Sequence, residues 1–225
     1  MKIAVMGDIH SNIEALNSVL KDVESQNIKR ILCTGDLTGY FYHPDECIEI
    51  IRKLCPETVQ GNHDYWETIG IDASKKSKLT AENKLFLQGL PKKDEIVIDG
   101  KRILLCHGSP RSQMEYIYPD ASLNKLRHCS VKGADIVCIG HTHYPFIKMM
   151  KTTRRQYLIV NPGSVGQPRD GGMPSWCLLD VENMKAEIRR VKYDINKLLK
   201  EVQKNDPRDL YLSMVLRRCT YKGVI

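Results

Sequence analysis

The sequence predicts an α/β fold in which two β-sheets pack on one another and helices cover them. Three observations carry that expectation. Short apolar runs of strand length recur along the chain, and helical patterns lie between the early ones. The later half is rich in strands with one helix inserted, which calls for a second sheet packed on the first. Five of the strand ends carry a glycine with an aspartate, asparagine or histidine beside it.

In order, the first apolar run is Ile3–Met6. Ser11-Asn12-Ile13-Glu14 then reads as a capping box, and Ile13, Leu16, Leu20 and Val23 continue on one helical face. Ile31–Cys33 is the second run. Pro44 suits a first helical turn, followed by Cys47, Ile48, Ile51 and Leu54. Glu57–Gln60 is a third strand, and Lys75-Lys76-Ser77-Lys78 a small basic loop expected to be mobile. Thr80 starts a short helix through Gln88, stopped by Gly89 and Pro91. This β-α-β-α-β-α order implies parallel strands joined by crossover helices.

The strands Glu95–Ile98, Ile103–Cys106, Asp135–Ile139, Tyr157–Val160, Trp176–Leu179 and Glu187–Val191 follow, with a helix begun by Asp120 carrying Leu123 and Leu126. The tail places Ile195, Leu198, Leu199 and Val202 at helical spacing. Asp206-Pro207 opens a last helix with Leu210, Tyr211, Met214 and Val215. No repeat, low-complexity segment or long linker divides the chain, so residues 1–225 read as one domain with 193–225 a helical extension.

Composition excludes several classes. Hydrophobic content of 42% and charged content of 27% are ordinary for a globular protein. No apolar run approaches the roughly 18 residues of a membrane span. The opening MKIAVMGDIH meets Asp8 and His10 too soon to be a signal peptide and reads as a core strand, so a cytoplasmic protein is expected. The eight cysteines form no C-x-x-C pair; Cys33, Cys106, Cys138 and Cys177 sit in apolar runs, and all read as structural thiols of a reducing compartment. The net charge of +7 invites a nucleic-acid reading. Eleven basic against five acidic residues from Lys185 onward carry +6 of it, which reads more plainly as a solvated basic helical face.

The strand ends concentrate the chemistry. IAVMGDIH offers Asp8 and His10, ILCTGD offers Asp36, and TVQGNHD offers Asn62, His63 and Asp64. ILLCHG offers His107, and IVCIGHTH offers His141 and His143. Ligands of open α/β sheets bind at the carboxyl ends of the strands, so these side chains are expected in one crevice. Five of the seven histidines lie there, with only His43 and His128 elsewhere. One such histidine reads as a satisfied core residue; the set does not. Carboxylate, imidazole and amide oxygen suit Mn²⁺, Fe²⁺, Zn²⁺, Co²⁺ or Ni²⁺. Asp8, His10, Asp36, Asn62, His107, His141 and His143 exceed one ion's needs. Two ions sharing a bridging carboxylate account for all of them, a design suited to displacement at phosphorus.

At these residues the sequence resembles the calcineurin-like metallophosphoesterase superfamily, over roughly residues 1–192. All five blocks stand in order: Asp8-Ile9-His10, Gly35-Asp36, Gly61-Asn62-His63-Asp64, His107-Gly108 and Gly140-His141-Thr142-His143. Asn161 to Asp170, Gly39-Tyr40 and Gly108-Ser109-Pro110-Arg111 are similar to features of its compact prokaryotic-type phosphodiesterases. The resemblance implies a four-layer α/β/β/α sandwich, two mixed β-sheets flanked by helices. It implies one ion on Asp8, His10, Asp36 and His143, and a second on Asp36, Asn62, His107 and His141. The nucleophile it implies is a water or hydroxide bridging the two ions and attacking in line. His63 matches the catalytic histidine, acting on the leaving group or the charged transition state, and Asp64 is expected to orient it.

Around the site, Arg111 and Arg169 read either as phosphate ligands or as surface salt bridges. Tyr40, Tyr42 and Trp66 read either as a stacking wall or as packing, and His43 as a helix cap rather than an inward ligand. The resemblance implies a phosphodiesterase acting on a small phosphodiester or nucleotide, with two divalent ions, Mn²⁺ first among them. The chain is not expected at a membrane, and no added domain holds a nucleic acid; a homo-oligomer stays open. A phosphomonoesterase or nuclease with the same site is the alternative. A non-catalytic, retromer-like scaffold should lack His63 or several ligands, and here all are intact.

Overall fold

Strand β1 (Lys2–Met6) has side chains buried on both faces, and the alternation sorts them between two cores. Ala4 and Met6 face helix α1 (Ile13–Ser25), while Ile3 and Val5 join the core between the sheets. The structure, a computed structural model, describes residues 1–71, 79–153, 155–208 and 210–221, the backbone alone over 218–221. The basic stretch Lys75–Lys78 and the side chain of Cys219 lie outside the described residues.

The early β-α order holds. β2 (Ile31–Cys33), α2 (Pro44–Leu54) and the short β3 (Glu57–Thr58) follow α1, and β1, β2 and β3 pair in parallel. Two helices then come in place of the expected one, α3 (Asn62–Ile69) and α4 (Ala81–Gly89), the latter capped by Thr80. The later strands are β4 (Lys93–Ile98), β5 (Lys101–Cys106), β6 (Ile136–Cys138), β7 (Phe146–Lys151), β8 (Gln156–Asn161), β9 (Ser175–Asp180) and β10 (Lys185–Arg190). α5 (Leu123–Leu126) is a single turn capped by Ser122, not Asp120, and runs into a 3₁₀ turn at Arg127–Cys129.

Two mixed five-stranded sheets result, in the orders β10-β9-β1-β2-β3 and β4-β5-β6-β8-β7. Ile3, Val5 and Leu32 of the first sheet meet Ile103, Leu105, Ile136 and Val160 of the second. Burying each such side chain stabilises by about 1.5–3 kcal/mol. α1 and α2 cover the outer face of the first sheet, where Trp176 Nε1 donates to Asp22 Oδ2 at 2.8 Å. The segment around Ile117, Leu126 and Cys129 covers the outer face of the second. These are the four layers that the resemblance implied. Seven of the cysteines are described as free and buried among these layers.

Three departures have local causes. Asn12, not Ser11, caps α1: its Oδ1 accepts the N–H of Ala15 at 3.1 Å, and its Nδ2 donates to Gly166 O at 3.0 Å. Ser11 has φ +58 and belongs to the sharp turn after β1. α3 escaped notice because its buried residues are the polar Asn62 and Asp64, so it has no apolar stripe. β7 escaped because it is an edge strand with only Phe146 and Met150 buried.

Two helices follow β10: α6 (Ile195–Asn205), capped by Asp194, and α7 (Leu210–Tyr221). Asp206 closes α6, so the expected opening of the last helix at Asp206-Pro207 lies ahead of α7's first residue. Leu198, Val202, Leu212 and Leu216 pack on Phe41, seating the tail on the loop after β2. The Tyr42 hydroxyl donates to Asp206 Oδ2 at 2.6 Å. His43 sits at the cap position of α2 without capping it; its Nδ1 lies 3.1 Å from Glu46 and its Nε2 3.0 Å from Glu201 of α6.

Burial works against the charge on His43, but the hydrogen bonds it donates to the Glu201 and Glu46 carboxylates outweigh it and raise its pKa. A histidine raised in the folded state gives its full stabilisation below its unfolded pKa, near about 6.5, and loses it as pH rises through the folded value. Thermal melts of Glu201→Gln should therefore fall further below wild type at pH 6 than at pH 8. An equal deficit at both would remove His43 from the docking of α6.

Candidate metal centre

The strand ends turn sharply, and the backbone records it. Seven non-glycine residues here have positive φ: Asp8 (+50), His10 (+51), Ser11 (+58), Asp36 (+54), Tyr40 (+57), His141 (+68) and His143 (+61). Non-glycine residues rarely occupy this region, and such strain clusters at functional sites. Glycine serves where backbones crowd: a Cβ on Gly61 would strike the carboxylate of Asp36. Gly39, at φ +94, leaves room for His63, whose Nδ1 would lie 2.5 Å from a Cβ there.

The seven expected ligands converge and are all buried. Asp8, His10 and His143 form one group; Asp36, His107 and His141 form another. His143 Nε2 lies 3.4 Å from Asp8 Oδ1, and His107 Nε2 lies 3.0 Å from Asn62 Oδ1 and 3.3 Å from Asp36 Oδ2. Asp36 Oδ2 is also 3.8 Å from His10 Nε2, so this one carboxylate stands between both groups. The strands of both sheets contribute, which is why the centre lies across their carboxyl ends.

Backbone carbonyls fix the imidazoles. Nδ1 of His10 donates to Thr38 O at 2.9 Å, that of His107 to Thr34 O at 2.8 Å, and that of His143 to Gln167 O at 2.6 Å. A carbonyl only accepts, so each Nδ1 carries the hydrogen, and the neutral rings of His10 and His143 turn a lone pair on Nε2 inward. The Nε2 atoms of His10 and His143 face each other at 3.0 Å, a repulsive contact between two lone pairs that a shared cation would relieve. Nε2 of His141 is buried with no hydrogen-bond partner among the described residues. This donor set fits borderline divalent ions.

The electrostatics agree. Burial holds His10 and His143 well below the usual imidazole range and His141 down to about 3, so these rings are neutral. Burial pushes Asp8 up to about 7. Burial also works to raise Asp36, yet the imidazoles of His107, His63 and His10 hold it well below the carboxylate range. Burial opposes charge on His107, but Asp36 and Asp8 push it up to about 9.

His63 stands beside the cluster. Its backbone N–H donates to Asp36 Oδ1 at 2.8 Å, and its ring lies 4.9 Å from those of His10, Tyr40 and Trp66. Asp64 does not orient it. The Asp64 carboxylate accepts from Leu37 N at 2.8 Å, Thr38 N at 3.1 Å, Thr38 Oγ1 at 3.2 Å and Gly61 N at 3.0 Å. Nδ1 of His63 has no hydrogen-bond partner among the described residues. Asp64 instead ties the loop after β2, which carries Asp36 and the Thr38 carbonyl, to the start of α3. Burial, reinforced by the charge of Asp36, pushes its pKa up to about 6.

The two arginines part company. Arg169 donates to Tyr40 Oη at 3.1 Å and to Gln167 Oε1 at 3.1 Å, with no ion pair among the described residues. Its charge lowers the pKa of Asp8, His10, His141 and His143. Arg111 is exposed, and among the described residues no contact brings its guanidinium to the cluster. Tyr40 and Trp66 flank His63, whereas Tyr42 turns to the tail. Sequence reasoning missed Tyr116, which stacks on His141 at 4.0 Å. Its one signal was the Tyr-Ile-Tyr alternation at Tyr116-Ile117-Tyr118.

A family model described as the calcineurin-like phosphoesterase superfamily domain matches residues 1–184. The chain is 39% identical to an uncharacterized protein, MJ0912, of Methanocaldococcus jannaschii, over 90% of this chain and 92% of that one. It is 33% identical to a probable metallophosphoesterase of Methanothermobacter thermautotrophicus, over 84% of this chain and 92% of the relative. The crystal structure of a metallophosphoesterase from Sphaerobacter thermophilus superposes with a TM-score of 0.78 at 27% identity, covering 97% of this chain and 98% of the other.

Asp64→Ala should lower Mn²⁺ affinity by about 10–100-fold in calorimetric titration, the usual weight of a group that positions ligands. Unchanged affinity with impaired turnover would return Asp64 to His63.

Proposed function

The chain belongs to the calcineurin-like phosphoesterase superfamily, and on that premise we propose that it is a two-metal phosphodiesterase acting on a small phosphodiester or nucleotide. The observation that carries this reading is the pair of ligand groups on either side of Asp36, with His63 beside them. Asp8, His10, Asp36 and His143 would hold one divalent ion, and Asp36, Asn62, His107 and His141 the other. Mn²⁺ suits these donors, as do Fe²⁺, Ni²⁺, Co²⁺ and Zn²⁺. Two ions would neutralise phosphate charge and make a water acidic enough to attack phosphorus.

The chain's own residues do the rest. His63 gives a proton to the leaving-group oxygen. Arg169, unpaired among the described residues, binds a non-bridging oxygen, and Tyr40 holds its guanidinium in place. Arg111 is an exposed surface cation that could join it. The preference for a diester over a monoester rests on the resemblance of Asn161 to Asp170 and of Gly108-Ser109-Pro110-Arg111 to the compact phosphodiesterases. The intact ligand set speaks against a purely scaffolding role. We read residues 1–225 as one unit, acting in a reducing cytoplasm on a substrate smaller than a nucleic acid strand.

The test is p-nitrophenol release by metal-stripped chain with each divalent ion restored. Metal-dependent release from bis(p-nitrophenyl) phosphate, with little from p-nitrophenyl phosphate, is expected. His63→Ala should cut it by about 10²–10⁴-fold with metal content unchanged. Preference for the monoester would make the protein a phosphatase, and no release with any ion would leave a binding module.

A further inference from the structure

The cluster has a neighbour that the chemistry above does not use. Residues 115–118 have no regular secondary structure, and Ile117 is fully buried in the core over the second sheet. Tyr116 and Tyr118, on either side of it, are 42% and 39% exposed. Tyr116 stacks on His141, with ring centroids 4.0 Å apart and planes 29° from parallel. Tyr118 is parallel to Tyr116 within 5°, at 5.8 Å. Tyr144, directly after His143, meets Tyr118 edge-on at 5.7 Å. The three tyrosine rings thus form a chain of contacts that begins on His141.

This surface is held in place. Glu115 accepts from Lys125 Nζ at 2.6 Å, pairs with His128 at 2.7 Å and accepts a short hydrogen bond from Ser109. Gln113 Nε2 donates to Gln60 O at 2.6 Å, tying the segment to the first sheet. Ile117 anchors it from beneath. A rigid, exposed aromatic face binds a flat ligand with little ordering cost. It also lies beside a different ligand group from the one Tyr40 flanks: Tyr40 packs on His10, Tyr116 on His141.

We propose that Tyr116 and Tyr118 form a platform on which a nucleobase of the substrate stacks, making the substrate a nucleoside phosphodiester. This rests on the phosphoesterase reading, since the stack on His141 is what sets the platform beside the phosphate. Every base has a π-face, so the platform selects for an aromatic arm without selecting among bases.

The test is equilibrium titration of the full Mn²⁺-loaded chain with thymidine 5′-phosphate and with methyl phosphate. The two share the phosphate and differ in the base-bearing arm. Thymidine 5′-phosphate should bind about tenfold more tightly or better, the weight of one stacked base. Tyr118→Ala should lose most of that preference, and Tyr118→Phe should keep it. Equal affinity for the two ligands in wild type, or an undiminished preference in Tyr118→Ala, overturns the platform. So does loss of self-association in sedimentation as the sole effect of Tyr118→Ala, which would make the patch a subunit interface. Because binding alone is read, a chain that prefers thymidine 5′-phosphate yet hydrolyses no p-nitrophenyl ester keeps the platform and loses the esterase reading.

Discussion

One buried carboxylate organises this molecule. Oδ1 of Asp36 accepts the N–H of His63, and Oδ2 lies among Nε2 of His107 and Nε2 of His10. Its carbonyl oxygen accepts the N–H groups of Ile9 and His10 at 2.8 and 3.0 Å. Asp36 therefore ties together the turn after β1, the turn after β2, the first turn of α3 and, through His107, the second sheet. A buried charge of this kind is costly unless it is surrounded by opposite charge and hydrogen-bond donors. The imidazoles and backbone N–H groups around Asp36 meet part of that need, and divalent cations would meet the rest.

The backbone bears a related cost. Left-handed conformations at seven residues of the centre each cost on the order of 1–3 kcal/mol, and they persist only where the surroundings over-determine them. The surroundings here are two dense apolar layers. β1 contributes to both, so the residues that turn away after Met6 start from a strand that cannot shift. Thr34, Thr38 and Gln167 then fix the rings through their carbonyls. The ring orientations are therefore held by the fold's own backbone carbonyls.

Much of this was legible in the sequence because burial and strand ends leave plain marks. The early strands and helices alternate in pattern, and glycine beside aspartate or histidine marks the turns that gather the seven candidate ligands. What stayed hidden has physical reasons. α3 turns polar side chains inward and so lacks a stripe, and β7 is a mostly exposed edge strand. Asp64 adjoins His63 in sequence, yet one residue along a helix points elsewhere, and its carboxylate serves the Asp36 loop. Tyr116 meets His141 only through tertiary packing, with no local signal beyond an alternating tyrosine pair. The tail's helices could be read from their spacing, but their seat on Phe41 could not.

The central claim is that Asp36 bridges two ions, and metal stoichiometry tests it most directly. Metal-stripped wild type and Asp36→Asn would each be titrated with Mn²⁺ and assayed for bound metal by elemental analysis. The account predicts two equivalents per chain in wild type and impaired binding of both in the variant, because each group loses the same shared charge. Two full equivalents retained by Asp36→Asn would contradict it.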